Sequence, residues 1–296
     1  MIEIPDKALL ELNQGGKSFA QLAEMLGVTR GIVAGRIRRY KESLDENGVA
    51  PNSDLFKVHI GTPLQLTGDW MIVGDVHVPC TDYDFASLVT LIAHKHRIKN
   101  LLVAGDLYSL DAFSSYPKRV DHATWHQEKN AALQLMAEWT RAFDRVVLLM
   151  GNHERRLEKL AEGAYDDTDI FAHLLGSGKV ETSDFGWCTI KTPTGMWRAT
   201  HQRNYSKIQL RVASEMASKY QSHIIAHHEH HFAMGWDRFK NYVVVNNGGL
   251  FDCNKFAYVN MDDSTSAGMA KGFTMLKDGY PHLFGEEPFT DWGKIV

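Results

Sequence analysis

Apolar and polar positions follow the periods of strands and helices, most regularly between residues 70 and 165. Four short apolar runs have the composition of parallel strands buried on both faces. These runs are Trp70–Val73, Leu101–Ala104, Val146–Met150 and Ile224–Ala226. Two amphipathic segments, Thr81–Arg97 and Thr124–Phe143, have apolar residues at three-to-four spacing and predict helices. This alternation of strand and helix predicts an α/β core.

Beyond about residue 180 the pattern changes to short β segments separated by turn residues. The segments are Trp187–Lys191, Met196–Thr200, Tyr242–Asn246 and Gly272–Leu276. A Pro-Thr-Gly turn at Pro193–Gly195 predicts that the first two form a hairpin. We therefore expect the second half of the chain to be richer in strands than the first.

The first fifty residues predict a separate helical module. Ser18 is placed to cap a short amphipathic helix that ends near Leu26, and a Gly-Val turn follows. A second helix, capped by Thr29, runs from Arg30 to about Tyr40. Its expected inner residues are Ile32, Val33 and Ile37. The arrangement resembles a helix-turn-helix, whose second helix enters the major groove of DNA.

Basic charge is concentrated on this second helix. Residues 29–41 contain five cationic residues and no acid: Arg30, Arg36, Arg38, Arg39 and Lys41. The four arginines are the predicted DNA-binding residues, and DNA is the predicted partner. The chain carries a net charge of −4, so any attraction to DNA has to be local. The alternative is a helical hairpin used for oligomerisation, with its basic face in solvent.

Composition divides the chain into three parts. Residues 46–67 resemble a linker, with turn-forming residues at Pro51–Ser53 and Gly61–Pro63 and one expected edge strand at Leu55–Ile60. The predicted organisation is a helix-turn-helix domain at residues 1–45, the linker, and a larger domain at residues 68–296. With 296 residues, 44% of them apolar, the chain can build a full α/β core beside the small module.

Cysteine usage and hydropathy indicate the compartment. Three scattered cysteines, Cys80, Cys188 and Cys253, are too few for a disulfide framework or a structural zinc site, which fits a reducing environment. No apolar run approaches the ~20 residues of a membrane helix, and no signal peptide opens the chain. We therefore expect a cytoplasmic protein with no membrane partner.

Five motifs rich in Asp, Asn and His occur in one order along the chain. They are GDVH at 74–77, GD at 105–106, GNHE at 151–154, a histidine at 201 and HHEH at 227–230. Ligands in α/β proteins gather at the carboxyl ends of strands, and glycine before a ligand allows a tight turn. A surface turn, a helix cap or a solvated His-rich loop explains each motif alone. The ordered set predicts a pocket for two divalent metals.

This set resembles the signature of the calcineurin-like metallophosphoesterases, which include purple acid phosphatases, nucleases and protein serine/threonine phosphatases. The resemblance covers roughly residues 68–285 and implies a four-layer αββα sandwich. It implies two ligand groups and a bridging carboxylate, namely Asp75, His77 and His230, then Asn152, His201 and His228, and finally Asp106. It also implies that His153 contacts the scissile phosphate or its leaving group.

The chemistry of these side chains supports the same allocation. Carboxylate, amide and imidazole ligands without thiolate suit Mn²⁺, with Fe, Zn²⁺ or Ni²⁺ as alternatives. A bridging carboxylate holds two cations roughly 3.5–4 Å apart, which clamps the attacking and leaving oxygens of an in-line displacement. A water shared by both cations loses its proton near neutral pH and becomes the nucleophile. His153 is suited to act as proton donor or electrophile because a histidine pKa lies near working pH.

The sequence departs from the protein-phosphatase branch of that family. That branch has an acidic residue three positions after the bridging aspartate, followed by Arg-Gly. Ser109 stands there in this chain, and no Arg-Gly follows. Asp111 has the wrong spacing to orient His153. His227 occupies a position that is normally glycine. His227 and His231 are either additional ligands or hydrogen-bonding neighbours of the metal site, and we favour the second alternative.

Two classes of function follow. The first is a dinuclear-metal phosphoesterase targeted to DNA by its N-terminal module, acting as a phosphodiesterase, a nuclease or a DNA phosphatase. Such an architecture is similar to that of bacteriophage or prophage proteins. An enzyme acting on small nucleotides is the alternative within this class. The second class is a non-catalytic DNA-binding regulator, and the complete ligand set counts against it.

Overall fold

The computed structural model describes residues 4–42, 62–114, 123–160, 171, 180–256 and 268–295. The chain divides into two compact units, Met1–Gly61 and Thr62–Val296. The predicted edge strand at Leu55–Ile60 lies outside the described residues.

Three helices form the first unit: α1 (Asp6–Gln14), α2 (Phe19–Leu26) and α3 (Arg30–Glu42). Ser18 caps α2 as predicted, because its hydroxyl accepts from the Gln21 N–H at 3.3 Å while the Gln21 side chain accepts from the Ser18 N–H at 2.9 Å. Gly27 ends α2 in the left-handed conformation, at φ +66°. Glycine adopts that conformation without a steric penalty, so the chain turns directly into α3.

A small apolar core holds the three helices together. Its fully buried members include Leu9 and Leu22, which pack with Val33 and Ile37 of α3. The predicted burial of Val33 and Ile37 is confirmed. The predicted burial of Ile32 is wrong, since its side chain is 49% exposed. Val33 and Ile37 share one helical stripe at i, i+4, and Ile32 is turned away from that stripe by one residue step.

Two six-stranded sheets form the second unit. Their strands are β1 (Gln65–Thr67), β2 (Trp70–Val73), β3 (Asn100–Ala104), β4 (Arg145–Leu149), β5 (Val180–Ser183), β6 (Trp187–Thr192), β7 (Gly195–Thr200), β8 (His223–Ala226), β9 (Phe232–Trp236), β10 (Val243–Asn247), β11 (Gly272–Lys277) and β12 (Tyr280–Gly285). The helices are α4 (Tyr83–His96), α5 (Trp125–Ala142), α6 (Arg155–Leu160), α7 (Arg211–Tyr220) and α8 (Trp292–Ile295). Short 3₁₀ turns lie at Asp111–Phe113 and Cys253–Lys255.

Three of the four predicted parallel strands, β2, β3 and β4, are neighbours in the first sheet, and the fourth, β8, lies in the second. The first sheet has the order β12-β11-β2-β3-β4-β5, and β2 to β5 run parallel. The second has the order β1-β6-β7-β8-β10-β9, in which β7, β8 and β10 run parallel. The predicted hairpin is confirmed as β6 and β7. Strand β1 lies within the predicted linker and pairs with β6, so the sheet begins before the boundary expected from sequence.

The predicted four-layer αββα architecture is confirmed. A fully apolar cluster fills the space between the sheets, with Trp70 and Leu102 from the first and Trp197 and Ile225 from the second. Helices α4 and α5 cover the outer face of the first sheet, and α7 covers that of the second. Burying one such large side chain contributes about 1.5–3 kcal/mol, so this core stabilises the scaffold on which the strand ends are held. No helix in the described part of the chain has the length and apolarity to cross a membrane.

Candidate metal centre

The predicted ligands follow the carboxyl ends of five strands. Asp75 and His77 follow β2, Asp106 follows β3, and Asn152 follows β4 in the first sheet; His201 follows β7, and His228 and His230 follow β8 in the second. Because the sheets are stacked with these ends at one edge, side chains that are distant in sequence meet there. The described residues contain three groups of potential metal ligands, and all three lie in this cluster.

The first group joins Asp75, His77 and His230. Asp75 Oδ1 lies 3.2 Å from His230 Nε2 and 3.8 Å from His77 Nε2, and the two Nε2 atoms are 3.3 Å apart. Asp75 Oδ2 accepts from the backbone N–H of His228 at 2.9 Å, which fixes the carboxylate. Asp75 Oδ1 is buried and has no hydrogen-bond partner among the described residues. A buried carboxylate oxygen without a partner fits the first shell of a cation.

The second group joins Asp106, His201 and His228. His201 Nε2 lies 3.2 Å from Asp106 Oδ2 and 2.9 Å from Asn152 Oδ1. His201 Nδ1 lies 3.1 Å from the Ala104 carbonyl oxygen, which can only accept a proton. Nδ1 therefore carries a proton, and Nε2 is the nitrogen directed at the two oxygens. An imidazole, a carboxylate and an amide oxygen converge here as they would around a second cation.

Asp106 stands between the two groups. Its Oδ2 is 3.2 Å from His201 Nε2 and 3.9 Å from His77 Nε2, so one oxygen faces histidines of both groups. Its Oδ1 accepts from the backbone N–H of His153 at 2.9 Å. The carboxylate is 1% exposed. A single buried carboxylate shared in this way suits a bridging role.

Buried charges in the cluster balance one another. Burial raises the pKa of Asp75 and of Asp106, but His230 lowers the first below its usual range and His201 holds the second well below it. Burial lowers the pKa of His201, but the Asp106 charge overcomes this and raises it to about 9. Burial, with His153 next, holds the pKa of His77 well below its usual value. The carboxylates are therefore ionised and His77 is neutral, as cation binding requires, whereas His201 would have to release its Nε2 proton to bind a cation.

Glycines let the strand-end turns approach the ligands closely. At Gly105, φ is +86°, and a Cβ would lie 2.8 Å from the ring of His201. At Gly151, a Cβ would lie 2.1 Å from Asp106 Oδ1. Any side chain at these two positions would displace a predicted ligand. This explains why glycine precedes Asp106 and Asn152 in their motifs.

Several ligand positions carry backbone strain that the sequence did not predict. Of the eleven non-glycine residues with positive φ in the described chain, five belong to the predicted ligand set. They are Asp75 (+47°), His77 (+52°), Asp106 (+52°), His228 (+77°) and His230 (+57°). Left-handed conformations of this kind persist only where the surrounding fold holds them, and they concentrate at functional sites.

The sequence model of the calcineurin-like phosphoesterases matches residues 70–248, which is more than half of the chain and spans β2 to β10. The chain belongs to this family. It is therefore a metal-dependent phosphoesterase, and the cluster at the strand ends contains its candidate ligands for divalent ions. No curated protein sequence matches the chain.

The solved structures that are similar to this chain are distant from it in sequence. Vacuolar protein sorting 29 of Cryptosporidium parvum is 12% identical with a TM-score of 0.39, covering 74% of this chain and 96% of that one. Vps29 of Chaetomium thermophilum is 10% identical with a TM-score of 0.40, covering 75% and 95%. The cold-active protein-tyrosine phosphatase of a psychrophilic Shewanella is 13% identical with a TM-score of 0.32, covering 75% and 82%.

Glu154 is a residue of the phosphoesterase site that the sequence reasoning missed. Its carboxylate is fully buried and accepts three backbone N–H bonds, from Asp106 (2.8 Å), Gly151 (2.9 Å) and Tyr108 (3.1 Å). Burial and the nearby Asp106 charge raise its pKa to about 7. The side chain ties the loop after β3 to the loop after β4, so it positions two predicted ligand loops. The sequence feature that could have revealed Glu154 is its place as the last residue of the GNHE motif.

Of the remaining residues of the HHEHH run, His227 and Glu229 form side-chain hydrogen bonds, as expected for His227, whereas His231 does not form the expected ones within the described part of the chain. His227 Nδ1 lies 3.2 Å from the Thr200 carbonyl oxygen, and its Nε2 is 2.9 Å from the Asn247 amide nitrogen, so both ring nitrogens are engaged away from the ligand groups. Glu229 accepts from the Ser206 N–H at 2.8 Å and holds the loop after β7. Neither ring nitrogen of His231 has a partner among the described residues.

His153 faces the cluster through a defined set of contacts. Its Nδ1 lies 2.5 Å from the carbonyl oxygen of Ser109, and its Nε2 lies 3.8 Å from Asp106 Oδ2. His153 also forms the third potential ligand group with His77 and Asp106, although the sequence assigned it to the phosphate. Burial lowers its pKa from the usual value.

The arginines predicted to bind DNA differ in their surroundings within the first unit. Arg30 and Arg38 are exposed on α3. Arg36 donates from Nε to Asp6 Oδ1 and from Nη2 to the Ile4 carbonyl oxygen, both at 2.6 Å. It therefore holds the start of α1 against α3. The side chain of Arg39 lies outside the described residues.

Proposed function

We propose that this phosphoesterase uses two metal ions and acts on DNA, as a phosphodiesterase, nuclease or DNA phosphatase, and that its N-terminal helices bring it to DNA. The catalytic half of the proposal depends on one observation. A single buried carboxylate, Asp106, faces imidazoles from both ligand groups at the joint edge of the two sheets. Such a shared carboxylate suits two adjacent cations better than one.

The proposed ligand set keeps the allocation that the motifs imply. Asp75, His77 and His230 would hold one cation; Asn152, His201 and His228 would hold the other; and Asp106 would bridge them. The partnerless Asp75 Oδ1 and the converging Asn152 and His201 atoms support this set. Oxygen and imidazole ligands without thiolate favour Mn²⁺, with Fe, Zn²⁺ or Ni²⁺ as alternatives.

Two bound cations would supply Lewis acidity and a water of lowered pKa for in-line displacement at phosphorus. The chain's own residues set the conditions for this step. Asn152 contributes a neutral oxygen, which leaves the centre a positive charge for an anionic substrate. Phe251 packs against His230, with ring centroids 4.7 Å apart, and Phe256 packs edge-on to His77 at 5.5 Å. These buried rings exclude water from one side of the ligands. His153 is the side chain proposed to meet the scissile phosphate or its leaving group.

The DNA half of the proposal is supported by the shape of the first unit. An eight-residue helix, a turn through left-handed Gly27 and a longer basic helix match the order of a helix-turn-helix. Arg30 and Arg38 are exposed on α3 and are the proposed phosphate contacts. Two further basic residues, Arg39 and Lys41, follow Arg38 closely in sequence. Arg36 contributes to the fold of this unit through Asp6.

The catalytic half is tested on the purified full chain with and without Mn²⁺. The substrates are duplex DNA, bis(p-nitrophenyl) phosphate and p-nitrophenyl phosphate, and elemental analysis gives the ions bound per chain. We expect two ions per chain and metal-dependent hydrolysis of DNA. Hydrolysis of small substrates alone would move the assignment to small nucleotides. A fully loaded protein that hydrolyses none of them would refute a catalytic role.

The DNA half is tested with two double variants of equal charge change. Arg30→Ala with Arg38→Ala removes the proposed contacts, whereas Lys7→Ala with Lys17→Ala removes two exposed charges elsewhere in the same unit. Each lost phosphate contact should flatten the slope of log K against log salt by about 0.9, so the arginine pair should flatten it by about 1.8. Hydrolysis of the small diester should not change. Equal effects of the two double variants would contradict DNA binding through α3.

A further inference from the structure

We propose that Arg156 is a phosphate-binding residue of the active site, whose guanidinium binds a non-bridging oxygen of the substrate beside His153. The inference rests on the metal centre proposed above. It adds to that centre a cation from the protein itself and identifies the ligand as the phosphoryl group. Arg156 belongs to none of the five motifs singled out in the sequence.

Arg156 reaches the cluster from the first turn of α6, which follows GNHE directly. Its Nη2 lies 3.2 Å from His153 Nε2, and that nitrogen is 3.8 Å from the Asp106 carboxylate. The guanidinium is thus one side chain away from the proposed bridging ligand. A guanidinium has only donors, so it directs positive charge and N–H groups towards the place where an anionic substrate would lie.

Groups behind it hold the guanidinium in this position. Nη1 donates to the Ser109 carbonyl oxygen at 2.8 Å and to Asp111 Oδ1 at 3.0 Å. The segment that contains these two acceptors is held by Glu128, a fully buried residue of α5. The Glu128 carboxylate accepts from the Leu110 N–H at 2.6 Å. A cation with restricted motion loses little entropy when it binds an anion.

The contacts of Arg156 leave two of its five N–H groups for a ligand. Both Nη1 protons and one Nη2 proton are used by Ser109, Asp111 and His153. Within the described residues, the Nε–H and the second Nη2–H have no acceptor. Nε and Nη2 lie on the same side of an arginine guanidinium, so donors on these two atoms can form the fork that binds phosphate oxygens in a bidentate manner. The side chain is 17% exposed, so it is shielded but open to substrate.

This placement gives the two neighbouring residues different expected effects. Negative charge on the non-bridging oxygens is stabilised by Arg156 whatever the leaving group is. Protonation by His153 matters most when the leaving group is a poor one. The chain lacks the Arg-Gly that follows the bridging aspartate in protein phosphatases, and Arg156 supplies an arginine from a different element.

The test compares Arg156→Gln and Arg156→Lys with the wild-type protein, all loaded with Mn²⁺. We expect Arg156→Gln to lower kcat/KM by about 10²–10³-fold, equally for p-nitrophenyl and phenyl esters. Arg156→Lys keeps the charge and loses the fork, so its loss should be smaller. Binding of inorganic phosphate, measured by calorimetry, should weaken in the same order. The number of metal ions per chain should stay that of the wild type.

Arg155→Gln is the matched control, because Arg155 is the adjacent residue of α6 and its Nη2 donates to the Asp184 carbonyl oxygen at 2.5 Å. It should retain wild-type kinetics and phosphate affinity. An inactive, metal-loaded wild-type protein would overturn the proposed function and not this inference alone. An active wild type with Arg156→Gln unchanged in kinetics and phosphate affinity would overturn the inference. Loss of metal from Arg156→Gln would also overturn it, by showing that Arg156 supports the ligands.

Discussion

Replacing Asp106 by asparagine tests the proposed bridge at its centre. The change keeps the shape of the side chain and removes its charge. In the native site Oδ1 accepts from the His153 N–H at 2.9 Å, while Oδ2 lies 3.2 Å from His201 Nε2. Asparagine has one oxygen and one amide nitrogen, so it can serve only one of these two directions. The other direction receives an N–H group where an acceptor is required.

The expected magnitude follows from these contacts. Removing one partner of a buried charge pair costs about 3–5 kcal/mol, which corresponds to about 10²–10⁴-fold weaker binding of a bridged cation. If the amide nitrogen faces His153, an unsatisfied backbone N–H costs about 1–3 kcal/mol more. Asp106→Asn should therefore lose two-ion occupancy at micromolar Mn²⁺ and lose turnover with it.

The assay is elemental analysis after dialysis against a defined free Mn²⁺ concentration, followed by hydrolysis of bis(p-nitrophenyl) phosphate on the same sample. Asp291→Asn is the control, because Asp291 forms an exposed ion pair with Lys294 at 2.8 Å, on a helix end with no predicted ligand. The control should bind metal and turn over like the wild type. An Asp106→Asn protein with two ions per chain and normal activity would refute the bridging assignment.

Three further outcomes are expected. His153→Ala should retain its metals and lose about 10²–10⁴-fold in turnover, with a smaller loss for a nitrophenol leaving group; an equal loss for all leaving groups would assign His153 to phosphate positioning. Gly105→Ala should lower the free energy of unfolding by about 1–3 kcal/mol, because its Cβ would lie 2.8 Å from the ring of His201. An unchanged melting temperature would contradict that close approach. Burial raises the pKa of Glu128 from 4.5 to about 7, so the folded state favours its protonated form. The difference in the free energy of unfolding between the wild type and Glu128→Gln, measured with a metal chelator present, should then change with pH. The wild type should lose about 2–3 kcal/mol relative to the variant between pH 4.5 and 7, and the difference should stay constant above pH 7. A difference that does not change with pH would show that Glu128 titrates normally.

The sequence predicted the parts of the structure that have local signals. Continuous runs of apolar β-forming residues such as Val146–Met150 suit strands buried on both faces, so β4 could be predicted, and with it the position of Asn152 at the strand end. The spacing of apolar residues predicted α4 and α5 to within a few residues of their ends. These features depend on neighbours along the chain, which the sequence shows directly.

Features that depend on distant neighbours were not predictable in this way. Glu154 was overlooked because two of its three backbone donors, Asp106 and Tyr108, lie in a loop that meets it only in the folded protein. Arg156 was overlooked because its acceptors, Ser109 and Asp111, are more than forty residues away in sequence. Strand β1 was assigned to a linker, since three residues with one buried side chain carry too little pattern to predict a strand.

The left-handed backbone at five predicted ligand positions restricts which mutations the centre can accept. Asparagine, aspartate and histidine enter this conformation more readily than other side chains, so the residues that suit the metals also suit the turns. Asp75→Glu would keep a carboxylate, yet glutamate enters the left-handed region less readily than aspartate, and φ is +47° at this position. Substitution at these positions is therefore restricted by two independent requirements, the ligand chemistry of the ion and the left-handed backbone conformation. A descendant protein that no longer bound metals would still tend to keep short polar residues at these positions. Ligand-like motifs alone can therefore persist after activity has been lost.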